Sequence, residues 1–516
     1  MSAPAAARRS DSVVPPPAPA GAPPSAARPL LLVLQLSELL DEANVAYCHW
    51  KSNEALDRSL SGDNDLDLLV HRGDVRRFTE ILSSLGFTRA QKRGATAGAI
   101  ESFYGYDAEA DRLVHVHAHY QLVLGHDCTK NYTLPIEDPY IRSAARGDVL
   151  RVPAPEFEYV VLVIRMTLKY CTWDEIVWCA LRGRRAGPAA SERREFADLH
   201  ARVDEQRTAS ILREHLPYVD AELFEACVEA LAAELPARRR IRTARRLERT
   251  LQVHARRSRR VDRLRRIAGR IAVAAARRTK RLPKNRVAGG GAIVALAGGD
   301  GAGKTTALAA LDGWLGGVFD TRVVHLGKPR WSATTYAIRA FLKGASLTAG
   351  LLARVAPIRP TRRLARVIST YRPLLWLACT ARDRHLAYRR ARRHAIDGRI
   401  VLCDRYPHPR LTSMEVPQIE RLSAGTLENR LVLALIRLER QYHATIAPPE
   451  LLVVLSVDPE TAVRRKTDER PDSVRARGAE MWSIDWRAAG VPVVDASQPE
   501  HAVARELKSL VWSVLG

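Results

Sequence analysis

The chain has 516 residues, 46% of them hydrophobic, with 81 Lys and Arg against 57 Asp and Glu and a formal charge of +24. That length implies two or three domains, and the charge suggests an anionic partner. Seven scattered cysteines without a Cys-x-x-Cys pair argue against a disulfide framework or a zinc knuckle, no apolar run reaches the ~20 residues that cross a bilayer, and Met1-Ser2-Ala3-Pro4 opens no secretory signal, so a cytoplasmic protein without a transmembrane segment is expected.

Residues 1–28 are Pro- and Ala-rich without hydrophobic periodicity and read as a disordered tail. Residues 29–152 alternate helical and strand patterns: a helix over Leu30–Ala43, a strand over Asp65–Val70, a helix over Val75–Leu85 and a strand near Leu113–Ala118. Strand side chains repeat every second residue, so Asp65 and Asp67 share one face and are candidate Mg²⁺ ligands. With His49-Trp50-Lys51-Ser52-Asn53 before it, the Asp-x-Asp-Leu-Leu-Val strand resembles the nucleotidyltransferase superfamily over about residues 30–235. That superfamily adds a third carboxylate on a later strand. The matching stretch here is His115-Val116-His117-Ala118-His119, and the best match puts His117 at that point. A histidine there either changes the metal or marks a weakened catalytic domain, and alternating histidines also suggest zinc.

Residues 153–236 show helical spacing only and read as a helical subdomain. The segment 237–288 follows as a basic helical linker. Between Arg238 and Arg286 stand 21 Lys and Arg against Glu248 and Asp262, so +19 of the +24 sits there. One or two amphipathic helices serving as a solvated connector, a surface for anionic lipid, and a surface for nucleic acid are the readings it allows. Gly289-Gly290-Gly291 marks a hinge.

From 289 to 516 the pattern becomes that of a doubly wound parallel α/β domain. An apolar run, Ala292–Ala297, leads into Gly298-Gly299-Asp300-Gly301-Ala302-Gly303-Lys304-Thr305-Thr306, the pattern of a phosphate-binding P-loop between strand and helix. Its glycines let backbone N–H groups approach phosphate oxygens, Lys304 adds a point charge, and the Thr305 hydroxyl can ligate Mg²⁺. Trp376–Ile396 reads as a long helix that turns at Asp397-Gly398. A second apolar strand, Ile400–Cys403, then ends in Asp404-Arg405-Tyr406, and the carboxyl ends of such strands face the ligand crevice.

These elements together resemble the thymidylate kinase family of nucleoside monophosphate kinases: Gly298–Thr306, Ala381-Arg382-Asp383-Arg384, Asp404-Arg405-Tyr406, Val457-Asp458-Pro459-Glu460 and Val493-Val494-Asp495-Ala496. The resemblance implies ATP as donor with Mg²⁺, and a small phosphorylated acceptor such as dTMP. It implies that Gly298, Gly301, Ala302, Gly303, Lys304 and Thr306 hold the phosphates, with Thr305 and Asp404 on the metal. Asp300 would contact the acceptor sugar, Arg384 its phosphate, and Arg405 would help organise metal and acceptor. Some members carry an arginine inside the loop. Here that position is Gly301, so the charge is expected from a lid holding Arg464, Arg465, Lys466, Arg470, Arg475 and Arg477.

The chain also departs from the family. His325-Leu326-Gly327-Lys328-Pro329-Arg330-Trp331 replaces an Arg-Glu-Pro segment, and Pro407-His408-Pro409-Arg410 replaces the element that reads the nucleotide. The donor machinery is therefore better matched than thymidylate recognition. A kinase is the first expectation. A nucleotide-responsive regulatory or scaffold protein and a nucleotidyltransferase acting on a sugar or nucleotide are the alternatives, and a homodimer stays open.

Overall fold

A computed structural model of the chain describes residues 28–92, 98–232, 235–279, 283–355, 359–408, 410, 416–423, 429–467 and 470–516. Apart from Arg28, the tail expected to be disordered lies outside the described residues. The architecture is mixed α/β, organised by two sheets.

The first sheet is built from α1 (Leu31–Glu42), β1 (Tyr47–His49), β2 (Leu66–Val70), α2 (Val75–Ser84), β3 (Thr88–Lys92), β4 (Ile100–Asp107) and β5 (Arg112–His119). A last strand, β6 (Asn285–Val287), arrives from far along the chain and completes the order β1-β2-β5-β4-β3-β6, in which β2 and β5 run parallel. Alternation sorts the residues by face. Leu66, Leu68, Val70, Val114, Val116 and Ala118 pack with Leu36 and Leu40 of α1 and Phe78 and Leu82 of α2. The intervening Asp65, Asp67, His115, His117 and His119 are thereby turned to the opposite face.

Helices α3 (Pro155–Tyr170), α4 (Trp173–Ala180), α5 (Ala190–Arg202), α6 (Glu205–His215), α7 (Ala221–Ala232), α8 (Ala237–Thr250) and α9 (Arg259–Arg278) follow. Val160, Val163 and Ile164 of α3 share a core with Phe224 of α7, Leu247 of α8 and, from the sheet, Cys48, Trp50 and Leu69. The basic segment is thus woven into this packing. Arg240, Arg266 and Arg270 are buried. Arg266 lies 3.1 Å from Asp174, 3.1 Å from Glu248 and 3.5 Å from Asp262, and Arg270 lies 3.0 Å from Asp174. The Asp174 contacts are ion pairs set off the hydrogen-bond axis, since neither of its oxygens has a hydrogen-bond partner among the described residues.

The second sheet comprises β7 (Ile293–Gly298), α10 (Lys304–Gly316), β8 (Thr321–His325), α11 (Ala333–Val355), α12 (Arg359–Ile396), β9 (Ile400–Asp404), α13 (Arg430–Ala444), β10 (Leu451–Ser456), α14 (Pro459–Arg465), α15 (Pro471–Ser483), β11 (Val493–Asp495) and α16 (Glu500–Leu515). Its strands are parallel in the order β8-β9-β7-β10-β11. Val294 and Leu296 pack on Leu308 and Leu311 of α10 and Leu507 and Val511 of α16, while Ile293 and Ala295 pack on Tyr388 and Ala391 of α12. Helices on both faces explain why β7 is apolar throughout.

The halves share a core. Ala90, Tyr106 and Val287 of the first sheet belong to the same cluster as Trp512, whose Nε1 donates to the Gly86 carbonyl at 2.9 Å. Of the glycine triplet expected as a hinge, Gly291 is wedged: its N–H donates to Ala395 O at 2.7 Å, and a Cβ there would fall 1.9 Å from Arg399 O, whereas Gly289 and Gly290 have open space around them. Among the described residues no helix is long and apolar enough to cross a membrane.

Removing the Arg266 side chain leaves Asp174, Glu248 and Asp262 buried beside one another. Arg266→Ala is expected to lower the unfolding free energy by about 3–5 kcal/mol, read from urea denaturation of the full chain.

Candidate functional site

β7 ends at Gly298 and α10 begins at Lys304, so the glycine loop turns at the carboxyl edge of the parallel sheet. Gly298, Gly301 and Gly303 take φ of 151°, 81° and 82°. At Gly301 a Cβ would also sit 2.5 Å from Ala462 O, so both backbone and space require glycine. Lys304 is buried, and its Nζ donates to Gly298 O at 2.9 Å and Gly299 O at 2.8 Å. Ala302 is buried beneath the loop, while Thr305 and Thr306 are exposed on the first helical turn. First-turn N–H groups have no intrahelical acceptor and carry the positive end of the helix dipole, so the loop favours an oxyanion.

Asp404 ends β9, in register with Leu296 on β7 and His325 on β8. Its Oδ2 lies 3.2 Å from His325 Nδ1, and its Oδ1 is buried with no hydrogen-bond partner among the described residues. Such an oxygen is costly unless a donor or cation meets it. The next residue, Arg405, has φ 54° and donates from Nη2 to Asp300 Oδ1 at 3.0 Å, which ties the strand end to the loop. The Asp404 carboxylate and Thr305 hydroxyl are oxygen donors of the kind Mg²⁺ takes.

The other expected site residues lie further out. Arg384 on α12 is buried and donates from Nε to Leu326 O at 2.8 Å, and Leu326 N–H donates to Asp404 O at 3.1 Å. Its Nη1 stands 3.3 Å from His443 Nε2, and burial followed by the Arg384 charge pushes that imidazole down to about 4. Arg465 donates to Ala496 O at 2.9 Å and, with Gly303 and Thr306, lines a cavity of about 260 Å³. Arg470 is exposed at the start of α15, Arg464 donates to Thr461, and Arg475 pairs with Glu460 at 3.1 Å. The Arg477 side chain lies outside the described residues.

Asp65 and Asp67 form a separate cluster in the first half. Asp67 faces His117 across the parallel β2–β5 ladder. Asp65 Oδ1 lies 2.7 Å from His115 Nδ1, and Asp67 Oδ1 lies 3.1 Å from His117 Nδ1 and 2.9 Å from Lys51 Nζ. Burial would raise the Asp67 carboxyl, but the His117 hydrogen bond and the Lys51 charge outweigh it and hold it well below the usual range. Nitrogen donors replace the third carboxylate, so this set does not fit Mg²⁺.

Sequence reasoning missed the carboxylates beside this cluster. Ser52, with φ 59°, donates its N–H to Glu195 Oε1 at 2.8 Å, and Asn53 donates its N–H to Glu158 Oε1 at 3.3 Å. Glu158 and Glu195 come from α3 and α5. No local pattern marks them, because only tertiary packing brings them to the turn. His325, the Asp404 partner, was visible only as a departure from a family segment.

No family model matches the chain. It is similar to the protein named "uncharacterized ATP-binding protein YghR" of Escherichia coli strain K12, at 25% identity over 227 residues, which is 42% of this chain and 86% of that protein. The protein of the same name from Escherichia coli O6:H1 strain CFT073 matches equally, at 25% over 227 residues.

Burial pushes the Glu158 carboxyl up to about 7 from its usual 4.5, Asn53 opposing and Glu195 adding to the rise. The folded chain therefore holds a proton that the unfolded chain has shed. The Glu158 contribution to stability is expected to fall as pH climbs from 4.5 to about 7 and to level off above that, against the rise contributed by His443 and His119, which are neutral in the folded chain and protonated in the unfolded one. Glu158→Gln is expected to make stability rise more steeply with pH over this range in urea melts.

Proposed function

We propose that the second half is an ATP-dependent phosphotransferase of the thymidylate kinase-like class, acting on a nucleoside monophosphate or a related phosphorylated acceptor. The observation that carries the reading is the pairing of two features at one sheet edge. A loop whose turn at Gly301 only glycine can make leads into a helix starting at the buried Lys304, and Asp404, whose Oδ1 has no hydrogen-bond partner among the described residues, ends the strand beside it. The likeness to a protein named as ATP-binding supports nucleotide as the ligand.

In this reading Gly298, Gly301, Ala302, Gly303, Lys304 and Thr306 hold the donor phosphates, and Lys304 exchanges carbonyl partners for phosphate oxygens. The 260 Å³ cavity bordered by Gly303, Thr306, Arg465 and Ala496 takes the base of the donor. Thr305 and Asp404 would hold Mg²⁺, which when bound offsets the charge of the phosphates. Asp300 and Arg405, already joined, position the acceptor, Arg384 holds its phosphate end, and Arg465 and Arg470 bring positive charge from the lid side. The bond from the γ-phosphorus to the bridging oxygen breaks, a bond to an acceptor oxygen forms, and ADP leaves. No nucleophile on the protein is needed, so placement and charge supply the catalysis.

The test uses the full chain, because Trp512 and Val287 bind the halves together. With Mg²⁺, ATP and a panel of nucleoside monophosphates and sugar phosphates, acceptor-dependent ADP release is expected. Lys304→Ala and Asp404→Asn are each expected to cut turnover at least about 100-fold. Release unchanged in both variants would overturn the assignment. Nucleotide binding without turnover on any acceptor would make this half a nucleotide-responsive binding module instead.

A further inference from the structure

The polar face of the first sheet carries a second cluster of ionisable side chains, separate from the glycine loop. Asp67 on β2 stands opposite His117 on the parallel β5, and His119 follows two residues on, so alternation places all three on one face. Three atoms converge there: Asp67 Oδ1, His117 Nδ1 and His119 Nε2. They are separated by 3.1 Å (Asp67 to His117), 3.4 Å (His117 to His119) and 3.8 Å (Asp67 to His119). A tetrahedron with donors 2.0–2.1 Å from its centre has edges of about 3.3–3.4 Å, which these spacings straddle. An octahedral Mg²⁺ shell would need edges of about 2.9 Å and oxygen donors, and this triad offers two nitrogens.

A structural role leaves the histidines unexplained. His119 is 1% exposed beneath the Trp50 ring, whose centroid is 4.9 Å away, and its Nδ1 has no hydrogen-bond partner among the described residues. Its Nε2 meets only ring and carboxylate atoms of the same triad in the described contacts. Burial, then the His117 and Lys51 charges, push its pKa well below the usual value. Asp67 is ionised. The His117 side chain is 27% exposed, so one side of the triad opens outward while His119 and Trp50 close the other.

We propose that Asp67, His117 and His119 form a mononuclear site for Zn²⁺ or a metal of like size and ligand preference, with a fourth position open to water or an oxyanion. Two imidazoles and one carboxylate with an open position make a donor set suited to activating water or holding a phosphate or carboxylate group. Among the described residues Lys51 is the Lys or Arg paired with the same oxygen, at 2.9 Å from Asp67 Oδ1, and its flexible stem lets it withdraw when the metal enters. The ion and the ammonium therefore compete. This site is independent of the glycine loop, and its failure would leave the phosphotransferase reading untouched.

The experiment takes the full chain, free of any histidine tag and stripped with chelator, and titrates it with Zn²⁺ and with Co²⁺ as a spectroscopic stand-in. One metal per chain and the intense visible bands of four-coordinate Co²⁺ are expected. His117→Ala and Asp67→Asn should each weaken binding at least about 100-fold. Lys51→Met, which removes the competing cation, should tighten it at least tenfold. His119→Ala opens a void under Trp50 and risks the fold, so the exposed His117 carries the test, with a melting curve to show that its variant is folded. A six-coordinate Co²⁺ spectrum in the wild-type chain, or metal stoichiometry and affinity unchanged in folded His117→Ala, would overturn the site.

Discussion

The parallel pairing of β7 with β9 and β10 is the constraint from which the second half follows. Ile293–Ala297 can be apolar on both faces only because α10 and α16 cover one side and α12 the other. Once Leu296 is in register with Asp404, the glycine loop and the carboxylate leave the sheet at the same edge, and Arg405, turned through a left-handed backbone, reaches Asp300. The turn at Gly301 is then dictated from outside the loop, because Ala462 of α14 occupies the space that a side chain would fill. Loop geometry is thus a property of the packed sheet.

The charge distribution has a comparable logic. A net +24 suggests a surface built to attract anions, yet Arg240, Arg266 and Arg270 point inward and meet carbonyl or carboxylate oxygens. The acids that receive Arg266 come from α4, α8 and α9, so the guanidinium joins three helices whose apolar stripes alone would not fix their mutual rotation. Part of what looks like a polyelectrolyte in the sequence is internal mortar.

What the sequence discloses is what depends on neighbours in the chain. The left-handed glycines and the helix start at Lys304 are local, and so are the two-residue repeats at Asp65 and Asp67 and at His115, His117 and His119. Strand β3 reads Thr88-Arg89-Ala90-Gln91-Lys92, a polar segment that no apolar alternation betrays, and β6 is three residues at the end of an arginine-rich stretch. β3 pairs with β4, 12 to 16 positions on, and β6 takes its place from β3, 193 to 197 positions back along the chain. The same holds around the polar cluster: Lys51 reaches Asp67, and Glu158 and Glu195 reach the Ser52–Asn53 turn, through packing between elements. That His119 joins Asp67 follows from the ladder register, which a linear pattern does not carry.

Strand β6 and strand β7 belong to different sheets, yet only residues 288–292 lie between them, and Gly291 is locked against Arg399. A connection this short stores no slack. The loop-bearing strand is thereby tethered to β6, the edge of the other sheet, four ladders from the Asp67 carboxylate.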